Sequence, residues 1–154
     1  MSRAFVKEDT AETFEDLPER PVSDHPNYVT VHGLATIEAE LARLAQQQAE
    51  AKAAADRAAL ARTGRDLRYW IARRASAELI PPPEACSEVR FGCTVTLGRD
   101  DGRKQTFKIV GEDEAEPAKG TLSYVSPLAR ALLGKKVGDV VPAGRDEAEI
   151  LAIG

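Results

Sequence analysis

The sequence predicts an α+β protein in which a long helical hairpin precedes a small antiparallel sheet wrapped on one short helix. Residues 34–79 keep a helical period, with no proline and with Gly64 as their one glycine. The run at 81–83 is Pro-Pro-Pro, which stops a helix because proline lacks the backbone donor and disfavours helix in the residue before it. Beyond it, apolar and polar residues alternate over 89–98, which is the period of a strand with one buried face.

The bulk composition narrows the classes of function. The 154 residues allow one domain or two small ones, and the net charge of −4 does not predict a nucleic-acid-binding surface. The sequence has no run of 18 apolar residues and no apolar signal core at its start, which predicts a cytoplasmic protein. Cys86 and Cys93 form no CxxC pair and are expected to be reduced thiols. His25 and His32 have no cysteine or carboxylate cluster at ligand spacing, so no metal site is predicted.

The pattern divides the chain into four segments. Residues 1–29 combine mixed charges with three prolines and no sustained period, so we expect an extended leader. A helical hairpin is predicted over 30–80 and a proline-rich linker over 81–88. Residues 89–154 are expected to form the globular domain.

The hairpin is predicted from a coiled-coil seam that is strong, then weak, then strong again. The first arm has apolar residues at 3-4-3 spacing, at Leu34, Ile37, Leu41 and Leu44. The seam weakens at Gln48, Ala51, Ala55 and Ala58, and it strengthens at Leu60, Leu67, Ile71, Ala75 and Leu79. This order predicts two helices that fold back on each other, with a turn between about 53 and 62. One continuous helix is the alternative, but it needs a partner to cover its seam, whereas a hairpin supplies its own.

The second arm of the hairpin is basic. Its arginines form either a solvated face or an electrostatic patch for an acidic partner. Tyr69 and Trp70 lie on the same arm, and an exposed Trp70 beside Arg68 would serve as a contact anchor.

The globular domain is predicted from strand periods and turn signals. Asp100-Asp101-Gly102 is a hairpin turn signal between strands at 89–97 and 106–110. An acidic loop over 111–120 and a third strand over 122–125 follow. Ser126 and Pro127 are typical of the start of a helix, and Gly134 is typical of its end. Further strands are expected near 140–141 and 148–153.

Three segments of the chain resemble bacterial Gre transcript-cleavage factors. They read FGCTVTL, IVGEDEAEPAKGTLSYVSPLARALLGKKVGD and, on the second arm of the hairpin, RDLRYW. The resemblance runs from about residue 28 to residue 153. It implies an N-terminal antiparallel coiled coil and a C-terminal FKBP-like globular domain. The FKBP-like fold does not by itself imply prolyl isomerase activity.

The resemblance implies that the protein binds RNA polymerase. The globular domain would dock at the rim of the secondary channel, and the coiled coil would enter that channel. The docking residues that the resemblance implies are Asp113, Ser126, Pro127, Leu128 and Ala129. A structural role is an alternative for most of them: Asp113 as a loop acid, Ser126 and Pro127 as a helix cap, and Leu128 as a core residue.

The hairpin tip departs from the family pattern. Cleavage-active members carry an acidic tip motif resembling D-x-x-E-N, whose carboxylates help to hold a metal ion in the polymerase active site. Residues 50–65 do not reproduce it, because Asp56, followed by Arg57, is the one acid near their middle. The arms are also shorter than in the cleavage factors, which is similar to short-coil relatives such as the regulators of nucleoside diphosphate kinase.

These features predict a secondary-channel regulator of transcription elongation that lacks strong cleavage stimulation. It would not be an enzyme itself, would have no cofactor of its own, and would compete with other secondary-channel factors. The alternative is a genuine cleavage factor in which Asp56 and Glu50 help the polymerase to hold Mg²⁺. A free-standing enzyme is a third hypothesis, but the sequence shows no nucleophile–base pair, phosphate loop or metal cluster to support it.

Overall fold

A computed structural model of the chain describes residues 17–154. Residues 1–16 of the predicted leader lie outside these described residues. The described chain divides into two compact units, residues 17–24 with 36–76, and His25–Ala35 with Ala77–Gly154. Within the described residues, no helix combines the length and the apolar character that a membrane span needs.

The two long helices form the predicted hairpin. Helix α1 spans Val31–Ala53, helix α2 spans Arg57–Ser76, and a turn at 54–56 joins them. Glu38 near the start of α1 pairs with Arg74 near the end of α2 at 3.1 Å, as antiparallel arms require. The turn lies within the predicted interval, and the alternative of one continuous helix is wrong.

The seam of α1 agrees with the sequence pattern. Ile37, Leu44 and Ala51 follow each other at heptad spacing and have exposed fractions of only 1%, 2% and 6%. Leu34 and Leu41 alternate with them and are half-buried. The predicted seam is therefore confirmed on this arm, where aliphatic side chains mark it clearly.

The seam of α2 differs from the prediction. Ile71 is 57% exposed, whereas Thr63 and Arg73 are buried and Leu67 and Trp70 are half-buried. Successive helical residues are rotated by about 100°, so the burial of Trp70 turns its neighbour Ile71 to solvent. Thr63 satisfies its hydroxyl locally by donating to the Ala59 carbonyl at 2.5 Å. Two other predicted seam positions are exposed as well: Ala75, and Leu79, which lies beyond the helix.

Residues of the leader lie along α2. The Arg20 guanidinium is 4.0 Å from the centre of the Tyr69 ring and 3.3 Å from Asp66, and Glu19 pairs with Arg68 at 2.6 Å. The hydrogen bond from Arg68 holds the pKa of the Glu19 carboxyl below its usual value, so the pair is present at neutral pH and is lost only in acid. Arg68 and Tyr69, at the site of the predicted contact anchor, therefore have partners within the chain.

A pair of short strands joins the leader to the segment after the hairpin. Strand β1, Tyr28–Val29, runs parallel to β2, Glu78–Leu79. The predicted boundary between the leader and the hairpin, at residues 29 and 30, lies within His25–Ala35, which the structure groups in the second unit. The reason is that backbone hydrogen bonds to residues 78–80 hold 27–29 in the second unit.

The main sheet of the second unit has the strand order β5-β4-β3-β7-β6. Its strands are β3 Thr94–Arg99, β4 Lys104–Val110, β5 Thr121–Ser123, β6 Val140–Ala143 and β7 Asp146–Ile153. The expectation of an antiparallel sheet is wrong at one place, because β4 and β5 are parallel. The segment 111–120, which includes the 3₁₀ turn Pro117–Lys119, carries the chain back along β4, so that β5 begins beside Lys108 and runs in the same direction as β4.

The short helix α3, Pro127–Leu132, covers the sheet. As predicted, Ser126 caps its start, and Gly134 follows its end with a left-handed φ of 82°. Ala129 and Leu132 are fully buried and belong to the same hydrophobic core as the sheet residues Val95, Leu97, Ile109, Leu122, Val141 and Ile150. This core fixes the position of the helix start relative to the strands.

The first strand of the sheet begins later than predicted. Gly92 has a left-handed φ of 89°, and the Cys93 amide donates to the Arg90 carbonyl, so the chain turns there. This turn brings Cys93 back to Cys86, and the two are joined in a disulfide with a Cα–Cα distance of 6.4 Å. The prediction of two reduced thiols is wrong, because alternating polarity does not reveal a turn that a single glycine permits.

We expect reduction of this disulfide to lower the thermal midpoint of the second unit. Closing a loop of this length in the unfolded chain is worth about 2–3 kcal/mol. The measurement is thermal unfolding with and without dithiothreitol. The Cys86→Ala variant is the matched control: it should unfold like the reduced parent and should not respond to the reductant. Equal midpoints for the oxidised and reduced parent would contradict the prediction.

Candidate docking surface and hairpin tip

The parallel strands β4 and β5 place the two predicted docking segments at one edge of the sheet. Val110 ends β4 and is paired with Ser123, which ends β5, and the Tyr124 amide donates to the Val110 carbonyl at 2.9 Å. The acidic loop leaves the sheet at Gly111, and the turn into α3 leaves it at Tyr124. Because the carboxyl ends of parallel strands lie at the same edge, the loop and the helix start emerge side by side.

The helix start combines exposed and buried positions. Ser126 accepts a hydrogen bond from the Ala129 amide at 3.3 Å, and Pro127 occupies the first helical position. Pro127 is exposed, and Leu128 is half-buried against the core. Ala129 has no exposed surface, so its side chain belongs to the core. The surface that the helix start offers is therefore made by Ser126, Pro127 and part of Leu128.

The acidic loop is anchored to the segment before the hairpin. The Thr30 hydroxyl donates to the Glu114 carboxylate, whose two oxygens are 2.9 and 2.8 Å away. Asp113 precedes this anchor and is half-buried. At the other end of the loop, Gly111 approaches Tyr28 so closely that a Cβ on it would lie 2.3 Å from the Tyr28 carbonyl oxygen. The loop therefore has a fixed position on both sides of Asp113.

An aromatic cluster of Tyr28, Phe91 and Tyr124 packs at the same edge of the sheet. The Tyr28 ring is 5.2 Å from Tyr124 and 6.1 Å from Phe91, and the Tyr124 hydroxyl donates to the Pro26 carbonyl. Aromatic pairs of this kind stabilise by about 0.5–1.5 kcal/mol beyond the area they bury. This cluster and Glu114 were not predicted from the sequence, because their partners lie far apart in the chain. The glycines at 33 and 111 were the available signal for close backbone approach.

The hairpin tip is closed by a Schellman motif. The Asp56 amide donates to the Ala51 carbonyl at 2.9 Å and the Ala55 amide to the Lys52 carbonyl at 3.2 Å, with Ala55 in the left-handed region at φ 51°. Asp56 then caps α2, since its carboxylate accepts from the Ala59 amide at 3.1 Å. The carboxylate that sequence analysis identified at the tip therefore has a structural role, and the exposed Arg57 begins the helix beside it.

We expect Ala55→Gly to raise the stability of the hairpin by about 0.5–1 kcal/mol. A left-handed alanine costs about 1–2 kcal/mol, of which the greater freedom of glycine in the unfolded chain cancels a part. The measurement is thermal unfolding followed by circular dichroism at 222 nm. Ala53→Gly is the matched control, because the backbone there is helical and the same exchange should lower the midpoint. A fall in both variants would show that the left-handed turn does not limit stability.

Three acidic residues are among those that line a groove beside the tip. It has a volume of about 480 Å³, and Glu50, Asp56 and Asp66 are among the residues that line it. Asp66 lies 3.3 Å from Arg20 and 3.5 Å from Arg65, and the Glu50 carboxylate accepts from Gln46 at 3.3 Å. In residues 17–154, no group of three or more His, Cys, Asp and Glu side chains is placed to hold a metal ion.

Comparison with known proteins decides the family. Residues 84–154 match the family model "Transcription elongation factor, GreA/GreB, C-term". The transcription elongation factor GreA of Chloroflexus aggregans is 35% identical over 86% of this chain and 99% of the relative. The chain belongs to the GreA/GreB family of transcription elongation factors.

Two further similar proteins match over a shorter span or at lower identity. The elongation factor GreB of Neisseria meningitidis serogroup B is 46% identical, and the match spans 58% of this chain and 58% of the relative. Among solved structures, the GreA factor homolog 1 (Gfh1) of Thermus thermophilus is 21% identical and has a TM-score of 0.40, with 84% of this chain and 99% of that chain covered. The family assignment therefore depends on the sequence matches.

Proposed function

We propose that this GreA/GreB-family protein binds RNA polymerase at the rim of the secondary channel and regulates elongation from there. Family membership supports a partner of this kind, and the shared edge of β4 and β5 supports the surface. Asp113 and the helix start from Ser126 to Leu128 would form one rigid contact area whose acidic loop complements a basic helical rim. The helical hairpin would enter the channel.

We infer that the hairpin occupies the channel without strong stimulation of transcript cleavage. Mg²⁺ is bound by carboxylates that converge with substrate oxygens and water. Here the Asp56 carboxylate caps α2, and Asp66 is paired with Arg20 and Arg65.

A second candidate function is that of a cleavage factor in its own right. The observation in its favour is that Glu50 and Asp56 line the same groove at the tip. In that case the protein would remain a cofactor of the polymerase and would supply one or two carboxylate oxygens to a metal ion held jointly with the polymerase. The arginines at 57 and 62 oppose this role, because neighbouring cations reduce the attraction of the tip for Mg²⁺.

Competition on RNA polymerase tests the proposal. A fluorescently labelled cleavage factor of known activity is bound to core polymerase, and the unlabelled protein is added in increasing amounts. The expected result is loss of polymerase-bound label, because both proteins would occupy the same rim. Binding that leaves the labelled factor in place would contradict the secondary-channel site. An absence of binding to core polymerase would contradict the proposed partner.

A further inference from the structure

The Glu114 side chain links the acidic loop to the cap of helix α1. The Thr30 hydroxyl donates to the Glu114 carboxylate, whose two oxygens are both within 2.9 Å. The same hydroxyl accepts a hydrogen bond from the Gly33 amide at 2.9 Å. Thr30 therefore caps the helix and anchors the loop at the same time. Thr30 is only 7% exposed and Glu114 is half-buried. A hydrogen bond to an ionised carboxylate is stronger than a hydrogen bond between neutral groups.

The close approach of Gly33 to the Glu114 carboxylate restricts where the carboxylate can lie. A Cβ on Gly33 would lie 2.9 Å from the Glu114 Oε2 atom, so a larger residue would push the carboxylate away. The contact of Gly111 with the Tyr28 carbonyl limits the loop in the same way at its other end. Asp113 lies between these two points. The Thr30–Glu114 hydrogen bond therefore holds the loop after Asp113, and the contact of Gly111 with the Tyr28 backbone holds it before Asp113.

We propose that Glu114 is a positioning residue, which together with Thr30 holds the acidic loop so that Asp113 is presented for docking. This inference depends on the proposed function, because it assigns Asp113 to the polymerase interface. Its physical basis is preorganisation. A loop that is ordered before binding avoids the loss of conformational freedom that a mobile loop incurs on binding. Glu114 would thereby affect affinity without touching the polymerase.

Three variants of the whole protein separate positioning from direct contact. Glu114→Ala removes the acceptor of the Thr30 hydroxyl but leaves the helix cap at Gly33 in place. Glu114→Gln keeps an acceptor oxygen of the same reach and is the conservative rescue. Asp113→Ala removes the proposed contact itself. Thr30 is unsuitable for substitution, since the loss of its hydroxyl would also remove the cap of α1.

The dissociation constant for core RNA polymerase is measured for each variant and for the Asp113→Ala/Glu114→Ala double variant. We expect Glu114→Ala to weaken binding about fivefold, and Glu114→Gln to stay within about twofold of the parent. In the Asp113→Ala background, Glu114→Ala should cause no further loss, because nothing remains to be positioned. Additive losses, or parental affinity in Glu114→Ala, would overturn the proposal while a loss in Asp113→Ala still upheld the docking surface.

Amide hydrogen exchange supplies a second readout that does not require polymerase. Glu114→Ala should speed exchange at residues 112–116 and leave the sheet strands unchanged, and Glu114→Gln should restore the parental rates. Faster exchange with no polymerase binding by the parent would uphold the anchoring of the loop but refute the proposed function. Unchanged exchange in Glu114→Ala would overturn the positioning role whatever the affinities are.

Discussion

Asp113→Ala is expected to weaken binding to RNA polymerase at least about tenfold while the fold stays intact. Removal of one partner from a desolvated charge pair costs about 2–5 kcal/mol, and a tenfold change corresponds to about 1.4 kcal/mol. Asp113 lies in a loop that is fixed by Gly111 and Glu114, so its carboxylate would meet the partner without prior ordering. The measurement is the dissociation constant of the whole protein for core polymerase.

Two matched variants determine whether this effect is specific. Asp113→Asn keeps the shape of the side chain and should lose as much affinity as the alanine variant, if the charge makes the contact. Glu116→Ala removes an acid from the same loop that is 3.1 Å from Lys119, and it should change affinity by less than about threefold. Parental affinity in Asp113→Ala would show that the docking surface lies elsewhere. Equal losses in Asp113→Ala and Glu116→Ala would point to general electrostatic attraction.

In a backtracked elongation complex with labelled RNA, we expect this protein to produce no transcript shortening above that of the polymerase alone. Two-metal catalysis needs ions about 3.5–4 Å apart, so the tip must deliver converging carboxylates accurately. The Asp56 carboxylate is instead hydrogen-bonded to the Ala59 amide, with Arg57 next to it. A cleavage factor of known activity serves as the positive control in the same complex.

The structure also determines which tip variants give a clear answer. Asp56→Ala removes both the carboxylate and the cap of α2, at a cost to the hairpin of about 0.5–2 kcal/mol. Asp56→Asn removes the charge and keeps the cap, because asparagine caps helices as well as aspartate does. Transcript shortening that is lost in both variants would overturn the prediction and favour the cleavage-factor hypothesis. Shortening that is lost only in Asp56→Ala would also overturn it, but would assign the loss to the cap and not to metal binding.

The sequence by itself determined the helices, the short-helix caps and the family resemblance. These features depend on residues that are near each other in the chain. The aliphatic heptads of α1, the proline run after the hairpin and the pair Ser126-Pro127 each act within a few residues of their own position. Local sequence patterns therefore predicted these features. The GreA/GreB relatives agree with the family resemblance.

Only the tertiary structure decided which side chains meet across the chain. The parallel pairing of β4 and β5, the Glu114–Thr30 hydrogen bond and the Cys86–Cys93 disulfide each join segments whose approach no local period records. The face of α2 was also decided in this way, because Trp70 fills the half-buried position and leaves Ile71 exposed. Packing selects one arrangement among several that hydrophobicity alone allows, since the side chains of a core must fit by shape as well as by polarity.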